Sequence, residues 1–341
     1  MSEPPFDALL VISFGGPEGM DEVEPFLRNV LRGKRVPEER IREVAHHYRI
    51  FDGVSPINRQ NRELIEAVRL ELGEKGPDLP IYWGNRNWHP LLSQTLREMA
   101  ADGIRKALAF VTSAYSSYSG CRQYLEDIRR AQKETGAPPP EIHKLRVFYN
   151  HPGFIESNRD RVRAALEQIP GDRRSRAQLL FTAHSIPLAM ARGCEYVDQL
   201  RETCRLVAEQ VPHSAWSLAY QSRSGPPHQP WLEPDAGDHL QAIAGRGVRD
   251  VVVSPIGFIS DHMEVVFDLD VELKDQARSL GLNLVRAATA GTHAAFVTMV
   301  GELVRERTDG VRRRYSGSRE PAPDNCPEGC CPYSIAAPAQ S

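Results

Sequence analysis

What most constrains the fold of this chain is an alternation. Four short apolar runs, at 8–13, 79–83, 107–112 and 144–148, are followed by four more, at 178–182, 214–220, 248–254 and 283–286. Between them lie stretches with helical periodicity, such as 61–72, 120–134, 196–210 and 261–280. Short apolar runs suit buried strands, and strands alternating with helices predict parallel sheets covered by helices on both faces. The expected fold class is α/β, with two Rossmann-like domains, each a four-stranded parallel sheet. The first would span residues 1–150 and the second 151–315, joined by a helix near 149–172, with a tail over 316–341. The tail lacks either periodicity and reads as disordered except around its cysteines.

The 341 residues suffice for two such domains, and 41% apolar with 26% charged residues is ordinary for a soluble globular protein. A net charge of −3, with basic residues dispersed apart from Arg312-Arg313-Arg314, gives no reason to expect a nucleic-acid or anionic-membrane partner. No apolar stretch has the length of a transmembrane segment. Met1-Ser2-Glu3-Pro4-Pro5 lacks the charged and apolar regions of a signal peptide. The expected location is cytoplasmic, and a monomer is compatible with the sequence.

Two strand ends carry the most chemistry: Thr182-Ala183-His184-Ser185-Ile186-Pro187 and Ser260-Asp261-His262-Met263-Glu264. Ligands of open α/β sheets bind at the carboxyl ends of strands. Partial burial of His184 would lower its pKa and leave a neutral imidazole ready to accept a proton. Glu264, Asp268 and Glu272 stand at i, i+4 and i+8, a row on one helix face that repels itself unless a divalent cation relieves it. A solvated acidic face is the simpler reading. Asp261 and His262 at the head of the row favour metal.

The turn Ser13-Phe14-Gly15-Gly16-Pro17-Glu18-Gly19 can bring backbone N–H groups to a ligand. It is not the GxGxxG fingerprint, which argues against an ordinary nucleotide-binding enzyme. Gln221-Ser222-Arg223-Ser224-Gly225-Pro226-Pro227 leads to Trp231, an indole and a guanidinium suited to a flat aromatic ligand with carboxylates. The alternative is a loop packed by Trp231. Tyr48, Ser55, Arg86 and Tyr115 can line the same cleft, although aromatic residues are more often core.

Together these motifs, with Gly53-Val54-Ser55-Pro56-Ile57 and Pro255-Ile256-Gly257-Phe258, resemble ferrochelatase, the family that inserts Fe²⁺ into a porphyrin. The resemblance implies a porphyrin cleft between two Rossmann-like domains. It assigns His184 and Glu264 to the catalytic pair and Phe258, Asp261 and His262 to the cleft beside it. It assigns Asp268 and Glu272 to an acidic ladder for metal or protons, and Tyr48, Ser55 and Arg86 to the substrate walls, where Phe14, Tyr115 and Trp231 are further candidates. Fe²⁺ is then a substrate, and other haem-pathway enzymes are the implied partners. The absence of an apolar lip or docking extension brings the pattern closest to bacterial enzymes that metallate coproporphyrin III, with protoporphyrin IX as the alternative. Some coproporphyrin enzymes place a ligating tyrosine where Phe14 stands, and phenylalanine cannot ligate iron.

Asn325-Cys326-Pro327-Glu328-Gly329-Cys330-Cys331-Pro332 resembles the cysteine motif of ferrochelatases with a [2Fe–2S] cluster. Such a cluster takes four thiolates. Cys121 is the candidate fourth ligand to Cys326, Cys330 and Cys331, with Cys194 and Cys204 as alternatives. Ser157 stands near where some relatives have an internal ligand. Zinc is the competing metal. A cobalt chelatase of similar fold and a non-catalytic haem carrier are the competing functions.

Overall fold

The computed structural model describes residues 6–33, 36–136, 138–211, 213, 215–225 and 228–334. Expectations that fall on Met1-Ser2-Glu3-Pro4-Pro5, Ser214, Pro226, Pro227 and 335–341 lie outside the described residues. Four strands, Ala8–Ser13 (β1), Ile81–Asn85 (β2), Lys106–Val111 (β3) and Glu141–Lys144 (β4), form a parallel sheet ordered β2-β1-β3-β4. Another four, Gln178–His184 (β5), Trp216–Gln221 (β6), Asp250–Ser254 (β7) and Asn283–Arg286 (β8), repeat the plan as β6-β5-β7-β8. All residues of β1 and β7 are buried, which is why those runs lack a polar face.

In each sheet the third strand joins the opposite side of the first. The switch points therefore fall between β1 and β3 and between β5 and β7. Crevices at the carboxyl ends of strands open at such points. The loops leaving β5 and β7 carry His184 and Asp261-His262-Met263-Glu264.

The alternating side chains of the central strands feed different cores. Leu9 and Val11 of β1 join Leu179 and Phe181 of β5 in one core that runs through both halves. Leu10 and Ile12 face a separate outer core, as Leu180 and Val253 do in the second half. Phe110, Phe148, Phe154 and Phe296 bind the halves together, with neighbouring ring centroids 5.4 to 6.4 Å apart. The Ala294–Thr308 helix belongs to both halves. It lies so close to the Pro152–Glu167 helix that a Cβ at Gly153 would stand 2.4 Å from the Ala295 carbonyl, and it touches the Ile57–Lys75 helix through Thr298 and Glu71.

Three expectations need correction. The run at 144–148 is not the strand: β4 ends at Lys144, and Leu145, Val147 and Phe148 are buried because the chain crosses between halves there. Arg146 is buried beside them, paired with Glu306 at 2.8 Å. The second strand starts later than residue 79 because Pro80 has no N–H to donate, although its carbonyl still accepts from Leu9 at 3.0 Å. The tail is anchored through most of its described length. Ser316 N–H donates to the Asn150 carbonyl, the Asn150 amide donates to the Arg319 carbonyl, both at 2.8 Å, and Arg319 pairs with Glu195 and Asp198. Among the described residues no helix is long and apolar enough to cross a membrane.

Candidate active site

His184 ends β5, and Glu264 lies in the first turn of the Met263–Phe267 helix. Their side chains meet, with His184 Nε2 3.4 Å from Glu264 Oε1. The His184 side chain is 29% exposed and that of Glu264 46%, so both are reached by solvent. His184 Nδ1 is held at the Ser185 carbonyl, and the His184 carbonyl accepts from Tyr196 Oη at 3.0 Å. A Cβ on Gly257 would meet that of Ala183 at 2.6 Å, so the loop after β7 presses directly on the strand that delivers His184.

His262 caps the same helix, its Nδ1 accepting from the Glu264 N–H at 3.2 Å, and its ring meets Phe258 edge-on at 4.8 Å. Behind it, Asp268 accepts from the Ser222 hydroxyl. The charges set one another. Burial disfavours the His184 imidazolium, but the Glu264 carboxylate outweighs it and the His184 pKa is raised, contrary to the expectation from burial alone. Burial also works against ionised Glu264, yet His184 and His262 hold its carboxyl down at about 2. The pKa of His262 is lowered by burial. Asp268 is pushed up to about 7, first by burial and then by Glu264 and Glu272.

The first half packs against the helix that carries Glu264. Val23, Phe26, Leu27, Ile41 and Tyr48 form one apolar cluster with Met263 and Phe267. Tyr48 is buried there, and burial together with the Glu264 charge raises its pKa. Asp261 is claimed by structural partners: Gln60 from the first half bonds it reciprocally, at 2.8 Å to its N–H and 3.3 Å from its carboxylate, and Arg286 pairs with it at 3.1 Å.

Of the expected substrate walls, Phe14 is 38% exposed and Phe258 is partly exposed, but several others are committed elsewhere. Tyr115 is buried and donates to the Ile256 carbonyl at 2.9 Å. Arg86 is paired with buried Asp127 at 2.9 Å. Ser55 is packed against Gly16, and Trp231 is buried against Gly225, where a Cβ would come within 2.3 Å of the indole. The acidic row is not a preassembled metal cage. Among the described residues no group of three or more His, Cys, Asp or Glu side chains is set to hold a metal ion. Glu264 is engaged by His184, Asp268 by Ser222, and Glu272 is exposed within a wide π-type turn at Asp268–Leu273.

The ferrochelatase family model matches residues 6–308, most of the chain. The chain belongs to the ferrochelatase family. It is 52% identical to a ferrochelatase of Rhodopirellula baltica over 99% of this chain and 97% of that one. It is also 52% identical to a coproporphyrin III ferrochelatase of Nocardia farcinica, over 95% and 96% of the two chains. A sirohydrochlorin chelatase of Bacillus subtilis subspecies spizizenii, solved with cobalt, has the same fold, with a TM-score of 0.54 and 11% identity over 89% of this chain and 95% of that one. As a ferrochelatase, this chain is a lyase-class metal chelatase that inserts Fe²⁺ into a porphyrin in haem biosynthesis.

In this ferrochelatase the thiols gather on the tail side. Cys330 and Cys331 have their Sγ atoms 3.5 Å apart. Cys326 lies within hydrogen-bonding reach of Cys121, and Cys331 within reach of Cys194. Cys121, Arg122, Cys326, Cys330 and Cys331 line a cavity of ≈ 280 Å³. Cys204 is fully buried within the Tyr196–Gln210 helix. No local pattern marks Gln60, a helix residue 201 positions from its partner. The sequence drew attention to Gln221 and Ser222 only as part of a motif.

Proposed function

We propose that His184 and Glu264 carry out the proton and metal handling of iron insertion, and that coproporphyrin III is the porphyrin. The contact at 3.4 Å between two strand ends carries the first part. A free-base porphyrin must bend, shed two inner protons and accept an ion stripped of water. An imidazole made more basic by Glu264 suits the first proton. Asp268, poised at about 7, suits the second. Glu264, anionic throughout the working range, suits a dehydrating Fe²⁺ ion, with Glu272 as an outer relay. Phe14, Phe258 and His262, which keep accessible surface, are the favoured walls of the porphyrin site, and Tyr48, Ser55, Arg86, Tyr115, Trp231 and Asp261 take the role of structural residues around it.

The choice of coproporphyrin III rests on likeness to the Nocardia farcinica enzyme. Anaerobic Fe²⁺ insertion should be faster with coproporphyrin III than with protoporphyrin IX. Preference for protoporphyrin IX would reverse the substrate assignment and leave the family intact.

A [2Fe–2S] cluster on Cys121, Cys326, Cys330 and Cys331 belongs to the same reading. The donor type supports it: four thiols line one cavity and Cys194 lies within reach of Cys331, although among the described residues no three of them are already set to hold a metal ion. A bound cluster would supply one-electron chemistry and cross-link the tail to the first half. Anaerobically purified protein should be coloured and contain iron, and Cys326→Ser should bleach it. Colourless protein containing zinc would replace the cluster with a zinc site. Cytoplasmic residence, where thiols stay reduced, a division between residues 150 and 151, a monomer and contact with other haem-pathway enzymes complete the proposal.

A further inference from the structure

We infer that Gln221 is a positioning residue for the His184–Glu264 pair, holding together the strand end and the helix that carry it. This rests on the reading of those two residues as the catalytic pair. Gln221 is the last residue of β6, directly opposite His184 in the parallel register, and its carbonyl accepts from the Ser185 N–H at 2.8 Å. Its side-chain Nε2 donates to the main-chain carbonyl of Glu264. One residue thus grips the β5 end through its backbone and the Glu264 turn through its side chain. The next residue, Ser222, takes a left-handed φ of 61° and donates its hydroxyl to Asp268. The end of β6 therefore fixes three groups of the site without supplying a reacting atom.

Two features separate this from ordinary packing. First, the Glu264 carboxylate is half exposed, and its ion-pair contacts are two imidazoles at 3.4 and 3.9 Å. Its aim depends on where its backbone is held. Second, Gln221 is 3% exposed and its Oε1 is buried with no hydrogen-bond partner. An apolar side chain of similar length would relieve the Oε1 but leave the Glu264 carbonyl without this donor, so the two effects on stability oppose each other. The side-chain bond that Gln221 does make is the one to the turn that carries Glu264.

The test uses the full-length protein with Gln221→Met and Gln221→Glu, and Glu264→Ala as control. Anaerobic Fe²⁺ insertion is measured across pH together with thermal melting. The Gln221→Met protein should melt close to the wild-type temperature and keep the porphyrin KM, while kcat falls by about tenfold or more, as misaimed reacting groups do. Gln221→Glu sets a carboxylate beside the acids of the site and should move the acidic limb of the kcat profile to higher pH. Wild-type kcat and pH profile in both Gln221 variants, with Glu264→Ala inactive, would overturn the inference alone. So would a kcat loss that merely tracks a lower melting temperature. An active Glu264→Ala protein would overturn the catalytic reading beneath it.

Discussion

At the scale of single residues, the site is a small circuit of charges in which each pKa follows from the next. The His184 contribution to stability is complete below its ordinary value of 6.5 and is lost as pH rises through its raised folded value. The Glu264 contribution is complete above its ordinary 4.5 and is lost as pH falls toward about 2. The pair therefore supports the fold most between about pH 4.5 and 6.5. Because Glu264 is half exposed, solvent screening limits the gain to about 1 kcal/mol or less. Glu264→Gln should weaken the protein in urea near the middle of that window and much less in alkaline buffer. An equal deficit at both pH values would mean that the two side chains do not interact as the geometry indicates.

At the scale of elements, strand existence was legible because buried parallel strands are written as continuous apolar runs, as in β1 and β7. Boundaries were not, where an apolar run served another purpose: Leu145, Val147 and Phe148 are apolar because they cross the interior, not because they pair. The helix expected at 261–280 is real, but periodicity did not reveal that His262 caps it or that the wide turn at Asp268–Leu273 interrupts it. That turn takes Glu272 out to solvent, so a row drawn at i, i+4 and i+8 overstates how the acids cooperate. His184 and Glu264 were legible as strand-end residues; the grip of Gln221 and Ser222 was not, because it depends on which strands become neighbours. Asp268 yields the test at this scale. Its pKa is raised from 3.8 to about 7, so the stability it confers is present below 3.8 and lost as pH rises through 7. Asp268→Asn should leave the melting temperature near wild type in acid, raise it in mildly alkaline buffer, and slow insertion. A melting temperature lowered at both pH values would refute the assignment of Asp268 as a destabilised buried acid.

At the scale of the whole molecule, the two halves are joined by more than one crossing. The Phe148 aromatic cluster and the Ala294–Thr308 helix bind them at the back, while Gln60 and Asp261 tie them beside the site. The tail adds a strap from Asn150 to Glu195 and Asp198 and brings Cys326 and Cys331 to thiols from both halves, Cys121 and Cys194. Partners this far apart in sequence leave no local pattern, which is why the plan of two four-stranded sheets could be read and the ties could not. Gln60→Leu should speed hydrogen exchange in the loop from Pro255 to His262 and leave exchange in β1 and β5 unchanged. Unchanged exchange in that loop would show that the tie bears no load. Metal insertion by this molecule depends on one imidazole meeting one carboxylate where the halves face each other. The most direct test is anaerobic Fe²⁺ insertion by His184→Ala, with porphyrin affinity titrated on the same preparation. Insertion should fall by about a hundredfold or more while affinity stays within about twofold of wild type. Insertion at the wild-type rate by that variant would contradict the account.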